Sequence, residues 1–207
     1  MITKDDFLAW LEKLKEVYVE NKAYLTELDS AIGDADHGIN LSRGFTKVNE
    51  KVAGADKPIG AICKDAGMAL VSSVGGASGP LYGTFFMRAG MAVGDQETLD
   101  GPALVAFFEA GLDGILQRGK AQLEDKTMVD AMKPAVDALK AAVEAGQSIH
   151  EALVAAAAAA EEGMKATIPL QARKGRASYL GERSIGHQDP GATSTHMLFK
   201  TASETWN

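Results

Sequence analysis

The segment KDDFLAWLEKLKEVYV, residues 4–19, sets the pattern that the rest of the chain repeats. Its apolar residues recur at three- and four-residue intervals, which places them on one stripe of a helix: Phe7, Leu8, Leu11, Leu14, Val17 and Tyr18. Thr3 precedes the segment and is a residue type that caps helix N-termini. The pattern predicts a first helix over residues 4–28.

The same periodicity continues along the chain. Alanine and leucine are abundant, and alternating β-branched runs are not found, so the sequence favours an all-α fold. Ser148 and Glu151 form a capping box, and Gly146 precedes them as a helix stop. Seven further helices are predicted over 40–53, 58–74, 80–93, 100–118, 127–145, 148–167 and from about Pro190 onward. Eight short-linked amphipathic helices predict an antiparallel up-and-down bundle or closed barrel, as a single domain over 1–207.

Composition excludes several classes of protein. No apolar run reaches the roughly 18 residues that a membrane span needs, so no membrane association is expected. The first residues lack the features of a secretory signal, and a single cysteine, Cys63, suits a reducing compartment, which together predict a cytoplasmic protein. The formal charge of −7 argues against nucleic-acid binding, which depends on clustered lysine and arginine.

Three carboxylates lie close together in the segment LDSAIGDADHGIN, residues 28–40. Glycines on both sides of Asp34 and Asp36 allow a tight turn, so that both side chains can converge with Asp29 on a hard cation such as Mg²⁺. An acidic, solvated loop with helix-capping aspartates is the alternative. A calcium EF-hand is excluded, because its turn glycine and bidentate glutamate would be out of register here.

Two further segments have features of phosphate-binding loops, and one of them is rejected. The small-residue loop VGGASGPL, residues 74–81, leads into a helix whose N-terminal N–H groups can bind anionic oxygens, although glycines also serve as ordinary helix stops. The segment GILQRGKA, residues 114–121, has the glycine and lysine spacing of a P-loop. It ends in Ala121 where that motif needs serine or threonine, so the P-loop interpretation is rejected.

A fourth segment covers residues 171–193 and is basic against an acidic background. It contains Arg173, Lys174, Arg176 and Arg183. Arginine matches phosphate oxygens with a fixed fork of donors, and long irregular segments in helical proteins are often functional. A solvated basic loop is the alternative interpretation.

At these segments the sequence resembles the nucleotide-binding subunits of bacterial, phosphotransferase-system-dependent dihydroxyacetone kinases. The resemblance is carried by GDADHG (33–38) with Asn40, SSVGGASGP (72–80), RGK (118–120), DKTM (125–128) and the stretch 172–193. It extends from residue 7 to about 198 and implies an eight-helix antiparallel barrel with ADP or ATP bound at one rim.

The resemblance also implies roles for particular residues. Two Mg²⁺ ions would be held by the predicted catalytic and metal-binding residues Asp29, Asp34 and Asp36. The nucleotide phosphates would be bound by His37, Gly38, Asn40, Ser78 and Gly79, and Ile39 would also belong to the nucleotide-binding residues. The adenine side would be lined by Gly119, Thr127 and Met128, and the site would be closed by Arg176, Asp189, Pro190 and Gly191.

The implied activity is a phosphoryl relay. Bound ADP is rephosphorylated by a phosphohistidine-carrying partner of phosphotransferase-system type, and the γ-phosphoryl passes to dihydroxyacetone on a separate substrate-binding subunit. Two alternatives stay open: a subunit of a directly ATP-dependent triose or tetrose kinase with exchangeable nucleotide, and a non-catalytic regulatory nucleotide-binding module.

Overall fold

The computed structural model describes residues 1–206 and is almost entirely helical. Its nine α-helices in this range are α1 (Lys4–Glu20), α2 (Lys22–Ile32), α3 (His37–Val52), α4 (Ile59–Ser73), α5 (Ser78–Val93), α6 (Gly101–Gly119), α7 (Val129–Glu144), α8 (Ile149–Ala166) and α9 (Pro190–Thr205). A 3₁₀ helix covers Arg176–Ser184, and two short strands, β1 (Ile2–Thr3) and β2 (Thr98–Leu99), pair antiparallel. No helix among these residues is long and apolar enough to cross a membrane.

The helices form a closed ring. Helix α1 packs against α3, each later helix packs against the next along the chain, and α9 returns to α1. Helix α2 continues from α1 and also packs on α3. The predicted all-α barrel is therefore confirmed, with α1 and α2 together occupying one of its eight positions.

The first predicted helix differs from the structure. The sequence predicted one helix over 4–28, but the chain breaks at Asn21 and resumes as α2, which ends at Ile32. The amide of Asn21 donates to the carbonyl oxygen of Val17 at 2.8 Å, which is the local side-chain bond that competes with helix continuation. Both predicted capping residues are observed, because Thr3 and Ser148 each cap a helix through a complete capping box.

The up-and-down order sorts the loops into two sets. The loops α3–α4 (53–58), α5–α6 (94–100) and α7–α8 (145–148) lie at one end with the start of α1 and the end of α9. There β1 pairs with β2, and Lys4 Nζ contacts Asp56 Oδ1 at 2.5 Å. The loops α2–α3 (33–36), α4–α5 (74–77), α6–α7 (120–128) and α8–α9 (167–189) therefore meet at the opposite end.

An aromatic cluster fills the ring near the first of these ends. Trp10 lies 4.6 Å from Trp206 and 5.3 Å from Phe7, measured between ring centroids, and Phe107 packs edge-on to Phe7 at 5.6 Å. All four rings are buried. The indole N–H of Trp206 also donates to the backbone oxygen of Asp6 at 3.0 Å, which joins the end of α9 to the start of α1.

Candidate functional site

A cavity of about 380 Å³ opens at the end of the ring where the loops α2–α3, α4–α5, α6–α7 and α8–α9 meet. Each of these loops contributes residues to its wall. Four helices also begin there, and their first residues all line the cavity: His37, Ser78, Val129 and Pro190. Because helix N-termini carry partial positive charge, this arrangement favours an anionic ligand.

The three predicted carboxylates converge in the cavity wall. One ligand oxygen from each of Asp29, Asp34 and Asp36 lies within 4.8 Å of the other two. Asp29 is in the last turn of α2, and its Oδ2 accepts the backbone N–H groups of Asp36 at 2.9 Å and His37 at 3.1 Å. Oxygen atoms bound to one Mg²⁺ at about 2.1 Å lie at most about 4.2 Å apart, so small side-chain rotations suffice for these donors to hold such an ion.

The turn that aims the carboxylates is strained. Ala35, between Asp34 and Asp36, has a φ of 59°, in the left-handed region that costs an alanine about 1 kcal/mol or more. Within residues 1–206 the other non-glycine residues with positive φ are Lys120, Glu124 and Lys126, all in the α6–α7 loop. Every such residue is therefore in a loop that lines the cavity, which is where strained backbone most often serves function.

Arg176 spans the cavity mouth. One of its terminal nitrogens lies 3.0 Å from Oδ2 of Asp34, and its side chain remains 64% exposed. An exposed ion pair of this kind contributes at most about 1 kcal/mol. The guanidinium is thus held loosely next to the carboxylate cluster, where it can exchange partners with an incoming anion.

His37 is buried and hydrogen-bonded on both sides of its ring. Its Nδ1 lies 3.0 Å from Ser78 Oγ, and its Nε2 lies 3.0 Å from Ser194 Oγ. Burial lowers the pKa of His37 to about 4, against the opposing effect of Asp29 and Asp36. The imidazole is therefore neutral at pH 7, and it orients Ser78 at the start of α5.

Behind His37 the network extends into the barrel. Ser194 Oγ donates to the carbonyl oxygen of Gly191 at 3.0 Å and contacts Tyr82 Oη at 2.8 Å, while the Tyr18 hydroxyl donates to the Ser194 carbonyl oxygen at 2.8 Å. These groups are buried and come from α1, α5 and α9. The cavity floor is thus fixed to three sides of the ring.

Asp189 caps α9 directly below the cavity. Its Oδ2 accepts the N–H of Ala192 at 2.7 Å, and its own N–H donates to Thr167 Oγ1 at 3.0 Å. Burial raises the pKa of Asp189 to about 7, while the charge of Lys126 acts to lower it. The carboxylate therefore orders the turn before Pro190 and Gly191.

Comparison with known proteins identifies the family. The family model described as DAK2 domain matches residues 31–204. The chain belongs to the DAK2 domain family. This DAK2 domain is 51% identical over 200 residues to the ADP-binding subunit DhaL of the PEP-dependent dihydroxyacetone kinase of Escherichia coli K12, covering 96% of this chain and 95% of that one. It is 43% identical over 205 residues to the ADP-binding subunit DhaL of the PTS-dependent dihydroxyacetone kinase of Lactococcus lactis, covering 99% and 98%.

Longer relatives contain a similar region. The domain is 39% identical to an L-erythrulose 1-kinase of Mycolicibacterium smegmatis, covering 96% of this chain and 35% of that one. Among solved structures, it superposes on the dihydroxyacetone kinase of C. freundii in complex with AMP-PNP and Mg²⁺ with a TM-score of 0.73 at 26% identity, covering 95% of this chain and 33% of that one. The resemblance noted from the sequence motifs is confirmed.

The cavity of this DAK2 domain brings together twelve of the sixteen residues predicted from the sequence. They are Asp29, Asp34, Asp36, His37, Ser78, Gly119, Thr127, Met128, Arg176, Asp189, Pro190 and Gly191.

The other four predicted residues lie outside the cavity lining. Gly38 and Gly79 face neighbouring backbone, because a Cβ would come within 2.1 Å of the Lys22 oxygen and 2.3 Å of the Val74 oxygen respectively. Ile39 is 41% exposed, and Asn40 is buried and accepts a hydrogen bond from Arg43 at 2.6 Å. The predicted contacts of these four with the nucleotide stay predictions.

Sequence reasoning missed part of the wall. Apolar side chains contribute to it through Ile32, Leu81, Ile115 and Val129, and basic residues through Arg118 and Lys126. Lys174, which was predicted only as part of the basic segment 171–193, also lines it. The apolar members are indistinguishable from ordinary core positions on their helices. Lys126 was present in the motif DKTM, but nothing in that motif indicates that its side chain is buried.

Proposed function

We propose that this chain is the ADP-binding, phosphoryl-relaying subunit of a PEP-dependent dihydroxyacetone kinase in the cytoplasm. The observation that carries the proposal is the convergence of Asp29, Asp34 and Asp36 at a cavity onto which four helix N-termini open. The near full-length similarity to ADP-binding subunits supports it. One partner presents dihydroxyacetone, and a phosphohistidine-carrying partner of phosphotransferase-system type supplies the phosphoryl group.

The three carboxylates hold two Mg²⁺ ions in this proposal, and the helix N-termini with Ser78 bind the phosphate oxygens of ADP. When bound, Mg²⁺ and ADP supply charge neutralisation and a diphosphate that accepts and hands on the phosphoryl group. Thr127 and Met128, together with apolar side chains of the cavity wall, would line the adenine side.

The chain's own residues act by position and charge. Asp29 fixes the turn through the N–H groups of Asp36 and His37, so the carboxylates are preorganised before any ligand arrives. Neutral His37 holds the Ser78 hydroxyl at the start of α5. Arg176 would leave Asp34 and neutralise phosphate oxygens at the cavity mouth.

Native mass spectrometry of the purified protein tests the proposal. We expect one ADP with two Mg²⁺ to be retained through desalting. Asp34→Asn and Asp36→Asn should each weaken ADP retention and lower phosphoryl transfer, in a reconstituted system, by at least about 100-fold, because each removes a charged ligand worth several kcal/mol. Far-ultraviolet circular dichroism should show unchanged helix content.

Asp113→Asn is the matched control, since Asp113 is an exposed aspartate on α6 outside the cavity lining. It should retain ADP and activity at the level of the unmodified chain. Equal retention in Asp34→Asn, Asp36→Asn and the control would refute the metal assignment.

The similarity to an erythrulose kinase favours one alternative, a subunit that uses ATP directly and exchanges its nucleotide. Loss of ADP on simple desalting, together with turnover on ATP without a phosphohistidine partner, would establish that alternative and refute the relay. Binding of nucleotide without transfer under either condition would instead indicate a regulatory module.

A further inference from the structure

Lys126 is a buried lysine in the α6–α7 loop whose ammonium binds backbone carbonyls. It is 1% exposed. Its Nζ donates to the carbonyl oxygens of His187 at 2.5 Å, Thr167 at 2.7 Å and Leu170 at 3.1 Å, and a fourth oxygen, from Ile168, lies at 3.4 Å. Three ammonium protons thus serve three short bonds.

These carbonyls come from both ends of the α8–α9 loop, residues 167–189. Thr167, Ile168 and Leu170 begin the loop, and His187 is near its end. These two ends lie side by side and form the neck of the loop, residues 167–170 and 186–189. The Gly186 N–H also closes this neck, because it donates to the Ile168 oxygen at 2.8 Å. The Arg173 N–H donates to the Asp125 oxygen at 3.0 Å and ties the loop to the residue preceding Lys126. One side chain therefore links the two ends of a 23-residue loop to a different loop.

Two residues that line the cavity belong to the loop that Lys126 closes. Arg176 reaches Asp34 from its middle, and Asp189 caps α9 at its end. A small apolar cluster of Ile32, Ala172 and Ala177 seats the middle of the loop against the end of α2. Displacement of the neck would therefore move Arg176 away from the carboxylates.

The burial of the Lys126 ammonium has a high free-energy cost for a contact that serves structure alone. Burying an ammonium carries a desolvation penalty, and burial accordingly lowers the pKa of Lys126. Lys126 also has a φ of 62°, which strains a residue with a Cβ. The charge of Asp189 and of Asp130 offsets part of the desolvation. A backbone turn alone could close the loop, so the charged side chain points to a role in the cavity.

We propose that Lys126 is a positioning residue that holds the loop 167–189 closed across the cavity and thereby slows nucleotide release. The second part of this inference rests on the proposed function. Lys126 acts through the carbonyls it binds and through Arg176.

The test compares Lys126→Met with Lys133→Met. Methionine keeps an unbranched apolar stem and a Cβ, so it removes the charge and donors while leaving the backbone strain unchanged. Lys133 is on α7 and pairs with Asp137 at the surface at 2.6 Å, so the control loses a lysine of ordinary exposure. Hydrogen exchange of peptides covering 171–189 and the ADP dissociation rate are measured on the full-length chain, well below the melting temperature of each variant.

We expect Lys126→Met to exchange at least tenfold faster in 171–189 and to release ADP at least tenfold faster, while peptides from α4 and α5 exchange within twofold of the control. Faster loop exchange with ADP release within twofold of Lys133→Met would overturn the positioning role. Unchanged loop exchange would overturn the inference entirely. If the unmodified chain and Lys133→Met carry no ADP, the proposed function fails, and the exchange comparison alone decides whether Lys126 closes the loop.

A measurement on the unmodified protein covers the case in which Lys126→Met does not fold. Nitrogen-15 spectra of the lysine ammonium groups should contain one signal whose protons exchange slowly with water, because they are bonded to carbonyls in the interior. Lys133→Met serves to exclude the Lys133 signal. Uniformly fast exchange of all lysine ammonium groups would contradict the carbonyl cage and refute the inference.

Discussion

The imidazole of His37 connects two serine hydroxyls, one at the cavity and one in the barrel interior. Three neighbouring carboxylates would be expected to keep a histidine protonated, so that it could bind phosphate as a cation. Its burial excludes that role at pH 7, since burial lowers its pKa to about 4. In the proposed function, the positive charge that binds phosphate therefore comes from helix N-termini, bound cations and arginine.

The lowered pKa of His37 should make the free energy of unfolding depend on pH. The unfolded histidine has a pKa of 6.5 and the folded one about 4, so between these values only the unfolded state binds the proton. This contribution is fully present above pH 6.5 and is lost as the pH falls to about 4, by about 3 kcal/mol. Asp189 acts with the opposite sign between about pH 4 and 7, because burial raises its pKa to about 7.

Comparison of variants isolates the histidine. Denaturation of His37→Gln at pH 4 to 7 should show a weaker decrease of stability toward acid than the unmodified chain, because glutamine retains hydrogen-bonding groups without titrating. His150→Gln is the control, since His150 is exposed on α8. Parallel stability curves for the unmodified chain and His37→Gln would contradict the lowered pKa.

At the scale of helices, the start of α4 and the end of α5 pack closely together because glycine residues lie at their contact. The Gly60 N–H donates to the Gly94 oxygen at 3.2 Å, and a Cβ at Gly60 would come within 2.3 Å of that oxygen and 2.5 Å of the Gly90 oxygen. Backbone atoms cannot rotate away as a side chain can. The two helices would have to separate.

We therefore expect Gly60→Ala to lower the free energy of unfolding by about 1–3 kcal/mol in urea denaturation, the range typical of overpacking. Gly101→Ala is the matched control, because its methyl group would meet only the side chain of Val143, at 3.0 Å. It should change stability by less than about 1 kcal/mol. Equal effects of the two substitutions would show that the α4–α5 contact tolerates expansion.

Most helices could be predicted from the sequence because apolar spacing and capping residues are local signals. Ser148 with Glu151, and Pro190, mark helix starts that the structure reproduces. The break at Asn21 could not be predicted, since asparagine is also tolerated within helices, and only its bond to the Val17 oxygen shows the interruption. The pairing of β1 with β2 joins residues almost 100 positions apart and leaves no local pattern.

At the scale of the whole molecule, the contacts that close the ring between α9 and α1 lie at one end, and the cavity lies at the other. Trp206 packs on Trp10 and Phe7 and bonds to the Asp6 oxygen, at the end of the ring opposite the carboxylates. The candidate residues come from alternate loops, which the up-and-down order brings together at the other end. Stability and nucleotide retention should therefore respond to different substitutions.

Trp206→Ala should lower the free energy of unfolding by about 3–5 kcal/mol, because it removes a large buried ring and leaves a cavity. ADP retention, measured by native mass spectrometry at a temperature where the variant is folded, should be unchanged. Tyr179→Ala, at a tyrosine that is 88% exposed, should change stability by less than about 0.5 kcal/mol. Loss of ADP from folded Trp206→Ala would show that the two ends of the ring are coupled.

The site could be predicted only where chemistry is concentrated in one segment. Asp29, Asp34 and Asp36 lie within eight residues, so their convergence could be predicted from the sequence, although their spacing also suited an acidic, solvated loop. Lys126 and Ser194 could not be assigned, because the bonds from Lys126 to Thr167 and from Ser194 to His37 join residues 41 or more positions apart and depend on how the ring closes. Long-range carbonyl and hydroxyl contacts leave no composition or period to detect.

The left-handed alanine and the three left-handed residues of the α6–α7 loop have a consequence for how such a protein would adapt to heat. Each left-handed backbone conformation lowers the stability of the folded state by about 1–2 kcal/mol, and glycine or asparagine at that position would remove this cost. Selection for thermal resistance alone would favour those replacements, and the loops would then lose the rigidity that aims their side chains. Homologues from hot environments that retain non-glycine residues there would show that ligand geometry outweighs this gain.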